Sequence, residues 1–577
     1  MAIADGTLEY IYTIGVLVSF AGLVIGSILN RKRIGHVLHE SGFLKRDLIL
    51  AIIAVAVFLA IVIIAVKPTQ ILFFDDAIYQ AMGLMLLHTG QAWMCNYGTS
   101  TQCFSGQIFH EPIGLSFNIA IGFLLLGSSR FATHAVQVAL AAISVFMTFM
   151  VAFIMLKDRR AAFFSALAFS VLPIILFWSA PTNSDMATLA YSLISIFMLV
   201  VLMRRRSLLS LFNFLLSLSL LLYMKVDALI YIPIFAIMYL ALYERGPLKA
   251  ITESARLMYK NIFNTKLLLI ILLFILLAYP TILFATTNAA SDGFGYQGSS
   301  VQQTCSTQGA YIKASGTINL QNFEANVCSN VLFWANKYTQ QQVTQPLYFT
   351  ILAIIGVILL VVFGKGKELT AIGVWFGIIF LFYTAFYAGS VVFGVDWRFM
   401  ITLMAPFAIL IGYSISGLSR SAEKLVSKVR KHSRIPQYVG LVVAAVLAVS
   451  LFYVLYINAS TVFLNPTAIQ QAGDARFYEN FVYNSSSLIP ADCLVYTYDP
   501  TLFNLVNKSA SQLSNLYQAG FYNSSMAKFP CAVLDVGYWC NTPGNICSQA
   551  QHAYNLTALA TATYSDGFTY GLYRIKN

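Results

Sequence analysis

Charged residues are scarce in this chain of 577 residues. Asp, Glu, Lys and Arg make up 10% of the sequence, hydrophobic residues make up 58%, and the mean hydropathy is +0.73. Soluble proteins carry about 25% charged residues, because their surface has to be solvated. The composition therefore excludes a soluble enzyme, a nucleic-acid-binding protein or a secreted disulfide scaffold for the chain as a whole. It predicts an integral membrane protein.

The sequence also lacks internal repeats and the short polar–apolar alternation that is typical of a membrane β-barrel. It contains apolar runs of about 16 to 25 residues, which suit helices that cross a membrane. We predict a polytopic α-helical protein with about twelve transmembrane helices. These spans are residues 11–29, 48–66, 131–156, 161–178, 188–203, 208–223, 228–242, 266–285, 347–363, 369–387, 399–417 and 438–457.

The basic residues indicate which loops face the cytoplasm. Cytoplasmic loops carry an excess of Lys and Arg, and most of the 35 basic residues fall in six segments between the predicted spans. The net charge of +12 is thus explained by topology, with no nucleic-acid partner. We expect both termini outside a plasma membrane, without a cleavable signal peptide. The six segments are residues 31–46, 157–160, 204–206, 245–266, 365–367 and 420–434.

One apolar run, residues 113–127, is too short to cross the membrane. As a helix it would be about 22 Å long, against a hydrocarbon core of about 30 Å. We predict that it lies in the outer interface, together with an amphipathic helix at residues 76–88. The first outer loop, residues 67–130, then carries two interfacial helices.

Cysteines and glycosylation sequons fall where this topology predicts an exterior. The even number of cysteines on one face indicates disulfides in an oxidising compartment. We expect Cys95 to pair with Cys103 and Cys305 with Cys328, because each pair shares one loop. The connectivity in the tail is left open. The other cysteines are Cys493, Cys531, Cys540 and Cys547, and the sequons that could carry glycan are Asn458, Asn484, Asn507, Asn523 and Asn555.

The composition changes after the last span and divides the chain into two domains. Residues 1–457 form the membrane module, with outer loops at 67–130 and 286–346, and residues 458–577 form an extracellular domain. Strand-like runs at 494–498, 532–538 and 569–575 surround a helix-like stretch near 501–517. They predict a small α/β domain without a catalytic motif.

Charged residues at the outer ends of spans are functional candidates, because a charge at membrane depth costs a few kcal/mol. Asp75 and Asp76 could cap a helix or could take a proton from an acceptor. His110 could be an interfacial hydrogen-bonding group or a substrate ligand. The other candidates on this face are Glu111, Asp185, Lys225, Asp227, Asp396 and Arg398.

Three of these candidates have a simple alternative role. Lys225 and Asp227 could pair with each other across a short turn. Arg398 could bind a phosphate through its planar guanidinium, or it could anchor the helix at the interface beside Trp397. Asp75, Asp76 and Asp185 offer oxygen ligands for Mg²⁺ or Mn²⁺, although no ligand spacing in the sequence is diagnostic.

Four motifs in register resemble those of C-type membrane glycosyltransferases, especially protein O-mannosyltransferases and aminoarabinose transferases. FDDAIY at 74–79 resembles the acidic pair and Tyr of their first outer loop. HEPIGL at 110–115, followed by LGSSRFA at 126–132, is similar to their His-Pro-Pro-Leu helix and Gly-x-Ser-x-Phe-Ala turn. PTNSDM at 181–186 resembles their Thr-Asp-Met, and RFMITLMAP at 398–406 their late Arg-aromatic span. The resemblance covers roughly residues 60–410.

The resemblance implies transfer of a sugar from a polyprenyl-phosphate donor to a protein or lipid acceptor, within a membrane and on its outer face. Asp75 and Asp76 would be the catalytic acids. The residues expected to bind substrate are Tyr79, His110, Glu111, Asp185, Lys225 and Arg398.

The sequence departs from this family at several points. Glu111 replaces the first Pro of the usual pair, Asp76 is shorter than the usual Glu, and an additional span precedes the motifs. The Trp-Trp-Asp-Tyr-Gly motif of oligosaccharyltransferases is absent, and the nearest string is GYWC at 537–540. The alternatives are an oligosaccharyltransferase-like or glycolipid-assembly enzyme, and a transporter or structural subunit. A transporter usually has charges near the bilayer midplane and repeated helix groups.

Overall fold

The computed structural model describes residues 5–66, 74–107, 111–243, 252, 265–291, 346–385, 396–429, 434–463, 466–540 and 546–576. Apolar helices make up most of the chain before residue 464. They are α1 (Asp5–Leu29), α2 (Arg31–Glu40), α3 (Lys45–Ala65), α4 (Phe74–Thr89), α5 (Ile113–Leu126), α6 (Arg130–Leu156), α7 (Arg159–Ser170), α8 (Pro173–Trp178), α9 (Ser184–Arg205), α10 (Leu208–Met224), α11 (Tyr231–Leu242), α12 (Thr265–Ser291), α13 (Leu347–Val362), α14 (Gly366–Ala385), α15 (Met404–Val429) and α16 (Ile435–Phe463), with 3₁₀ segments at Val226–Ile230 and Asp396–Leu403.

The polytopic helical architecture is confirmed. Among the described residues, eight helices are long and apolar enough to cross a membrane, and each coincides with a predicted span. The predicted span 161–178 is instead two helices, α7 and α8. Pro173 begins α8 and holds Leu172 in an extended conformation, with ψ at 122°, so the helix cannot continue through this point. The other three predicted spans, at residues 208–223, 228–242 and 347–363, coincide with shorter apolar helices. The total of twelve spans therefore stays a prediction.

Both helices predicted in the first outer loop are present, as α4 and α5. They pack closely, because a Cβ atom at Gly83 would lie 2.9 Å from the backbone oxygen of Ser116. The second helix ends at Gly127, whose φ of 79° favours glycine. The depth of this pair in the membrane stays a prediction.

Helix α1 packs along α10 through small residues. A Cβ atom at Gly15 would lie 2.1 Å from the Tyr223 hydroxyl, and the hydroxyls of Ser19 and Ser219 are 3.1 Å apart. Close approach of this kind is common between membrane helices. It holds the end of α10 in place, directly before Lys225.

The C-terminal domain, which the sequence predicts outside the membrane and which we call the exterior domain, is built on a seven-stranded sheet. The strand order is β2-β1-β4-β3-β5-β7-β6, and β3 is parallel to β4 and β5. The three predicted strands are confirmed. The helix expected near 501–517 is present only in part. Pro500–Leu505 is an α-helix and Leu513–Tyr517 is a 3₁₀ segment, but between them the chain turns at Asn507 (φ 55°) into β4. The strands are β1 (Met94–Gly98), β2 (Cys103–Gln107), β3 (Cys493–Thr497), β4 (Ser509–Gln512), β5 (Cys531–Val536), β6 (Asn555–Thr563) and β7 (Thr569–Lys576). The helices here are α17 (Pro466–Ser485), α18 (Pro500–Leu505), α19 (Phe521–Met526) and α20 (Ile546–Ala553), with short 3₁₀ segments at Ser486–Leu488, Leu513–Tyr517 and Tyr538–Cys540.

The first outer loop contributes two strands to this sheet. The β1–β2 hairpin pairs with β4, where Tyr97 lies opposite Ser511. Helix α18 packs on the first turn of α4, and Ala77 is buried in one hydrophobic cluster with Leu502 and Phe503. The exterior domain therefore contacts the helix that carries Asp75 and Asp76.

Arg130, at the start of α6, connects the membrane helices to α17. Its Nη1 donates to Asn480 Oδ1 at 2.6 Å, and its Nε lies 3.1 Å from Glu479 Oε1. The guanidinium also stacks 3.7 Å above the Tyr483 ring. These contacts join the two parts of the chain beside the first outer loop.

The expected pairing of Cys95 with Cys103 is confirmed, and this disulfide closes the β1–β2 hairpin. Cys305 and Cys328 lie outside the described residues. The exterior domain contains the other two disulfides among the described residues, Cys493–Cys531 and Cys540–Cys547. Four of the five sequon asparagines are exposed, and the side chain of Asn458 lies outside the described part of the structure. The exposed ones are Asn484, Asn507, Asn523 and Asn555.

Candidate active site

The acidic pair lies in the first turn of α4, where the helix dipole favours carboxylates. Asp76 is fully buried, whereas 30% of the Asp75 side chain is exposed. Asp75 is thus the member of the pair that a substrate can reach. On the same helix, Gln80 Nε2 donates to Thr182 Oγ1 at 3.3 Å and connects α4 to the PTNSDM motif.

Arg398 approaches this acid from the 3₁₀ segment before α15. Its Nη2 donates to Asp75 Oδ2 at 2.9 Å, across 323 residues of sequence. Its Nε lies 3.7 Å from Asp185 Oδ2. Arg398 therefore lies between two carboxylates that the sequence analysis had predicted on the same membrane face.

Asp185 connects Arg398 to a second cation. Asn183 caps α9 by accepting the Met186 N–H at 2.9 Å, and Asp185 follows in the first turn with a fully buried side chain. Lys225, directly after α10, donates from Nζ to Asp185 Oδ1 at 2.7 Å and lies 3.0 Å from Asp227 Oδ2. The sequence also allowed Lys225 to pair simply with Asp227. This pair is present, but Lys225 contacts Asp185 as well.

Five side chains consequently form one continuous row in which acids and cations alternate. We call this row the charged row; its members are Asp75, Arg398, Asp185, Lys225 and Asp227. They come from α4, the segment before α15, α9 and the turn after α10. The structure thus brings together four residues that the sequence predicted as site residues, and Asp227, which the sequence had singled out as a candidate.

Tyr383 is a member of the site that the sequence analysis missed. Its hydroxyl donates to Asp227 Oδ2 at 2.6 Å, and its ring stacks on Phe399 with 5.5 Å between centroids. Lys225 Nζ lies 4.2 Å from the centroid of the same Phe399 ring. A tyrosine at the end of an apolar helix does not stand out in a sequence. The only signal was its place at the predicted outer end of the span.

Glu111 and Tyr79 form a second polar contact beside the charged row. The Tyr79 hydroxyl donates to Glu111 Oε2 at 2.6 Å, so this tyrosine connects α4 to the start of α5. Burial and then the nearby charge of Asp75 raise the pKa of Glu111 to about 8, against the effect of the Tyr79 hydrogen bond. The protonated form of this carboxyl group is therefore favoured more than in a free glutamic acid. His110 lies outside the described residues.

Two of the three acids expected to offer metal ligands pair with basic side chains. Asp75 and Asp185 are paired with Arg398 and Lys225. Among the described residues, the group of three possible ligands with atoms within 4.8 Å of one another is Asp492, Cys493 and Cys531, and its two cysteines form a disulfide. Binding of Mg²⁺ or Mn²⁺ by Asp75, Asp76 and Asp185 stays a prediction.

Two kinds of solved structure share the fold of this chain. ArnT of Cupriavidus metallidurans, an aminoarabinose transferase solved with undecaprenyl phosphate, aligns with a TM-score of 0.50 and 12% identity over 91% of this chain and 97% of its own. The oligosaccharyltransferase AglB of Archaeoglobus fulgidus, in complex with an inhibitory peptide and a dolichol-phosphate, aligns with a TM-score of 0.50 and 11% identity over 91% of this chain and 74% of its own. No protein-family model and no curated protein sequence matches the chain. The expected likeness in fold to C-type membrane glycosyltransferases is confirmed.

Proposed function

We propose that the protein is an inverting membrane glycosyltransferase that transfers a sugar from a polyprenyl-phosphate donor to a protein or lipid acceptor. The observation that carries the proposal is the charged row, which provides a carboxylate and two cations in one cluster. Transfer from a lipid phosphate needs both, because the acceptor hydroxyl loses a proton while the leaving phosphate takes up negative charge.

In the proposed reaction, Asp75 accepts the proton of the acceptor hydroxyl. The acceptor oxygen forms a bond to the anomeric carbon as the bond from that carbon to the phosphate oxygen breaks. The electron pair of the broken bond stays on the phosphate, where Arg398 and Lys225 stabilise the charge. Attack from the face opposite the phosphate inverts the anomeric configuration.

The remaining site residues have supporting roles in this proposal. Asp185 and Asp227 hold Lys225 in place, and Tyr383 orients Asp227. Tyr79 and Glu111 lie on the side of the first outer loop, where an acceptor or the sugar would be bound. His110 stays a predicted substrate ligand. The lipid chain of the donor would lie between the helices.

The proposed location is the plasma membrane, with the active site and both termini outside. Three disulfides among the described residues and the exposed sequon asparagines support an oxidising exterior for the domain that contacts α4. The predicted cytoplasmic segments that are described lie at the opposite ends of the same helices, as with Arg204 at the end of α9.

The test is a transfer assay with purified protein in nanodiscs. Polyprenyl-phosphate sugars are supplied with candidate acceptors, and release of polyprenyl phosphate is measured. Wild type should release it and Asp75→Asn should not, whereas Asp566→Asn, which changes an exposed acid of the exterior domain, should behave as wild type. The proposal would be contradicted if none of the monosaccharide donors gave release of polyprenyl phosphate.

Transfer of a whole oligosaccharide is the second candidate, because AglB shares the fold over the same fraction of the chain. The absence of the Trp-Trp-Asp-Tyr-Gly motif disfavours it. A lipid-linked oligosaccharide as donor in the same assay separates the two candidates.

A further inference from the structure

The proposed base and one of the proposed phosphate-binding cations are bonded to each other in the structure. Arg398 Nη2 donates to Asp75 Oδ2 at 2.9 Å. In the reaction, Asp75 has to accept a hydrogen bond from the acceptor hydroxyl, and Arg398 has to donate to the phosphate. The ion pair between them therefore competes with both substrates.

Arg398 has a second anchor that would keep it in the site after it leaves Asp75. Its Nε lies 3.7 Å from Asp185 Oδ2, and Asp185 is fully buried and also bound to Lys225. The guanidinium can therefore exchange the partner of its Nη2 group while its Nε side stays beside Asp185. Lys225 differs, because it is surrounded by Asp185, Asp227, Tyr383 and the face of Phe399.

We propose that Arg398 masks Asp75 until a polyprenyl phosphate binds, so that the donor itself releases the catalytic base. This inference rests on the proposed function. The exchange is balanced in charge: the guanidinium passes from the Asp75 carboxylate to the phosphate, and Asp75 is left as an ionised carboxylate that can accept the acceptor proton. The donor binds before the acceptor hydroxyl reaches its base, and the acceptor meets an active base only when the donor is present.

The masking ion pair lowers the apparent affinity for phosphate. When only a fraction of the protein is in the conformation that binds a ligand, the apparent affinity is reduced by that fraction. If Arg398 is bonded to Asp75 in most molecules, removing the charge of Asp75 should tighten phosphate binding. A site in which Arg398 only binds phosphate, without this competition, predicts no such gain.

The experiment measures binding of a polyprenyl phosphate to the full chain in nanodiscs by titration calorimetry. Asp75→Asn should bind about fivefold to tenfold more tightly than wild type, where tenfold corresponds to about 1.4 kcal/mol. Asp566→Asn is the control, because it removes an exposed carboxylate of the exterior domain that is not a member of the charged row. It should change the affinity by less than about twofold. The corresponding polyprenol, without phosphate, should show no gain with either variant.

A second pair of variants distinguishes competition between Asp75 and the phosphate for Arg398 from simple repulsion of the phosphate by the charge of Asp75. In an Arg398→Gln background, Asp75→Asn should no longer tighten binding, because the competitor has been removed. The inference is overturned if Asp75→Asn tightens polyprenyl phosphate binding equally with Arg398 and with Gln at position 398. It is also overturned if Asp75→Asn gives no tighter binding when Arg398 is present. The proposed function stands in both cases. Absence of polyprenyl phosphate binding in wild type and Asp75→Asn alike overturns the proposed function, and this inference with it. Inorganic phosphate in place of the lipid should not reproduce the gain at equal concentration, and a reproduced gain overturns the assignment to a lipid.

Discussion

Charged side chains gather at both ends of the membrane helices, but their pairing differs. At the predicted cytoplasmic end, acids and arginines form one-to-one contacts between helices. At the other end, about 30 Å away along α9, Asp185 is shared by two cations, and the charged row contains more acids than cations. The cytoplasmic pairs of acids with arginines among the described residues are Glu40–Arg205, Asp47–Arg159, Asp158–Arg420 and Glu423–Arg160.

This difference separates charges that close the fold from charges available to a substrate. Asp47 caps the turn before α3 through Leu44 N at 2.7 Å and also pairs with Arg159, so its carboxylate joins two helices. In the charged row, by contrast, Asp185 is shared between Arg398 and Lys225. Its cations could transfer to a phosphate without any helix losing its cap, because Asn183 caps α9 independently of Asp185.

The largest expected effect is at Asp75. Asp75→Asn should lower the rate of transfer by about 10² to 10⁴-fold, the range for loss of a general base. The melting temperature should stay close to that of wild type, because the side chain is partly exposed. Turnover per folded molecule and the melting temperature are measured together. Near-normal turnover would remove Asp75 from the mechanism.

Arg398 should show the next largest effect, on donor affinity. Arg398→Ala loses a charge-assisted hydrogen bond to the phosphate and should weaken donor binding by about 1.5–3 kcal/mol. Arg398→Lys keeps the charge but loses the planar fork, so its loss should be smaller. Apparent donor affinity is compared with the melting temperature for both variants. Unchanged affinity in both would make Arg398 an interfacial anchor and leave phosphate binding to Lys225.

Asp47→Asn should produce the opposite pattern to Asp75→Asn. It removes the charge from a buried side chain whose partner Arg159 is 29% exposed, so the free energy of unfolding should fall by about 1–3 kcal/mol. Transfer per folded molecule should not change. Thermal unfolding in detergent and turnover of the surviving protein distinguish these outcomes. A selective loss of turnover with normal stability would contradict the assignment of the cytoplasmic pairs to the fold.

Much of this arrangement could be predicted from the sequence, because hydropathy and basic loops depend on local composition. They placed the long spans, the two helices of the first loop and most members of the charged row. Pairing over long distances is not encoded locally. The β1–β2 hairpin joins β4 across more than 400 residues, and β4 itself lies within a stretch predicted as helix, because parallel pairing with β3 overrides helical propensity.

The same limit applies to the site. The sequence indicated that Asp75 and Arg398 share a membrane face, but it could not show that they bond to each other across 323 residues. It offered pairing of Lys225 with Asp227 as an alternative, and could not show that Asp185 is a further partner. Tyr383 was missed because hydrophobicity alone explained its position.

Glu111 should make the stability of the folded protein depend on pH. Its folded pKa of about 8 lies above the ordinary value of 4.5, so the folded state binds more protons than the unfolded state between these values. Stability from this group is complete at low pH and is lost as the pH rises through about 8. Glu111→Gln carries no proton equilibrium and should flatten the fall in melting temperature between about pH 5 and pH 8. Parallel curves for wild type and variant would contradict the raised pKa.

The smallest expected effect is at Tyr383, and it tests whether the charged row is held in place from the side. Tyr383→Phe keeps the ring on Phe399 and removes only the hydroxyl that donates to Asp227. Loss of this hydrogen bond should cost about 0.5–1.5 kcal/mol. The cost should appear in donor affinity, because Asp227 would hold Lys225 less firmly, with little change in the turnover rate at saturating donor. Tyr453→Phe, which changes an exposed tyrosine of α16, is the matched control and should leave both quantities unchanged. A fall in the turnover rate at unchanged donor affinity would instead place the Tyr383 hydroxyl near the transferred sugar.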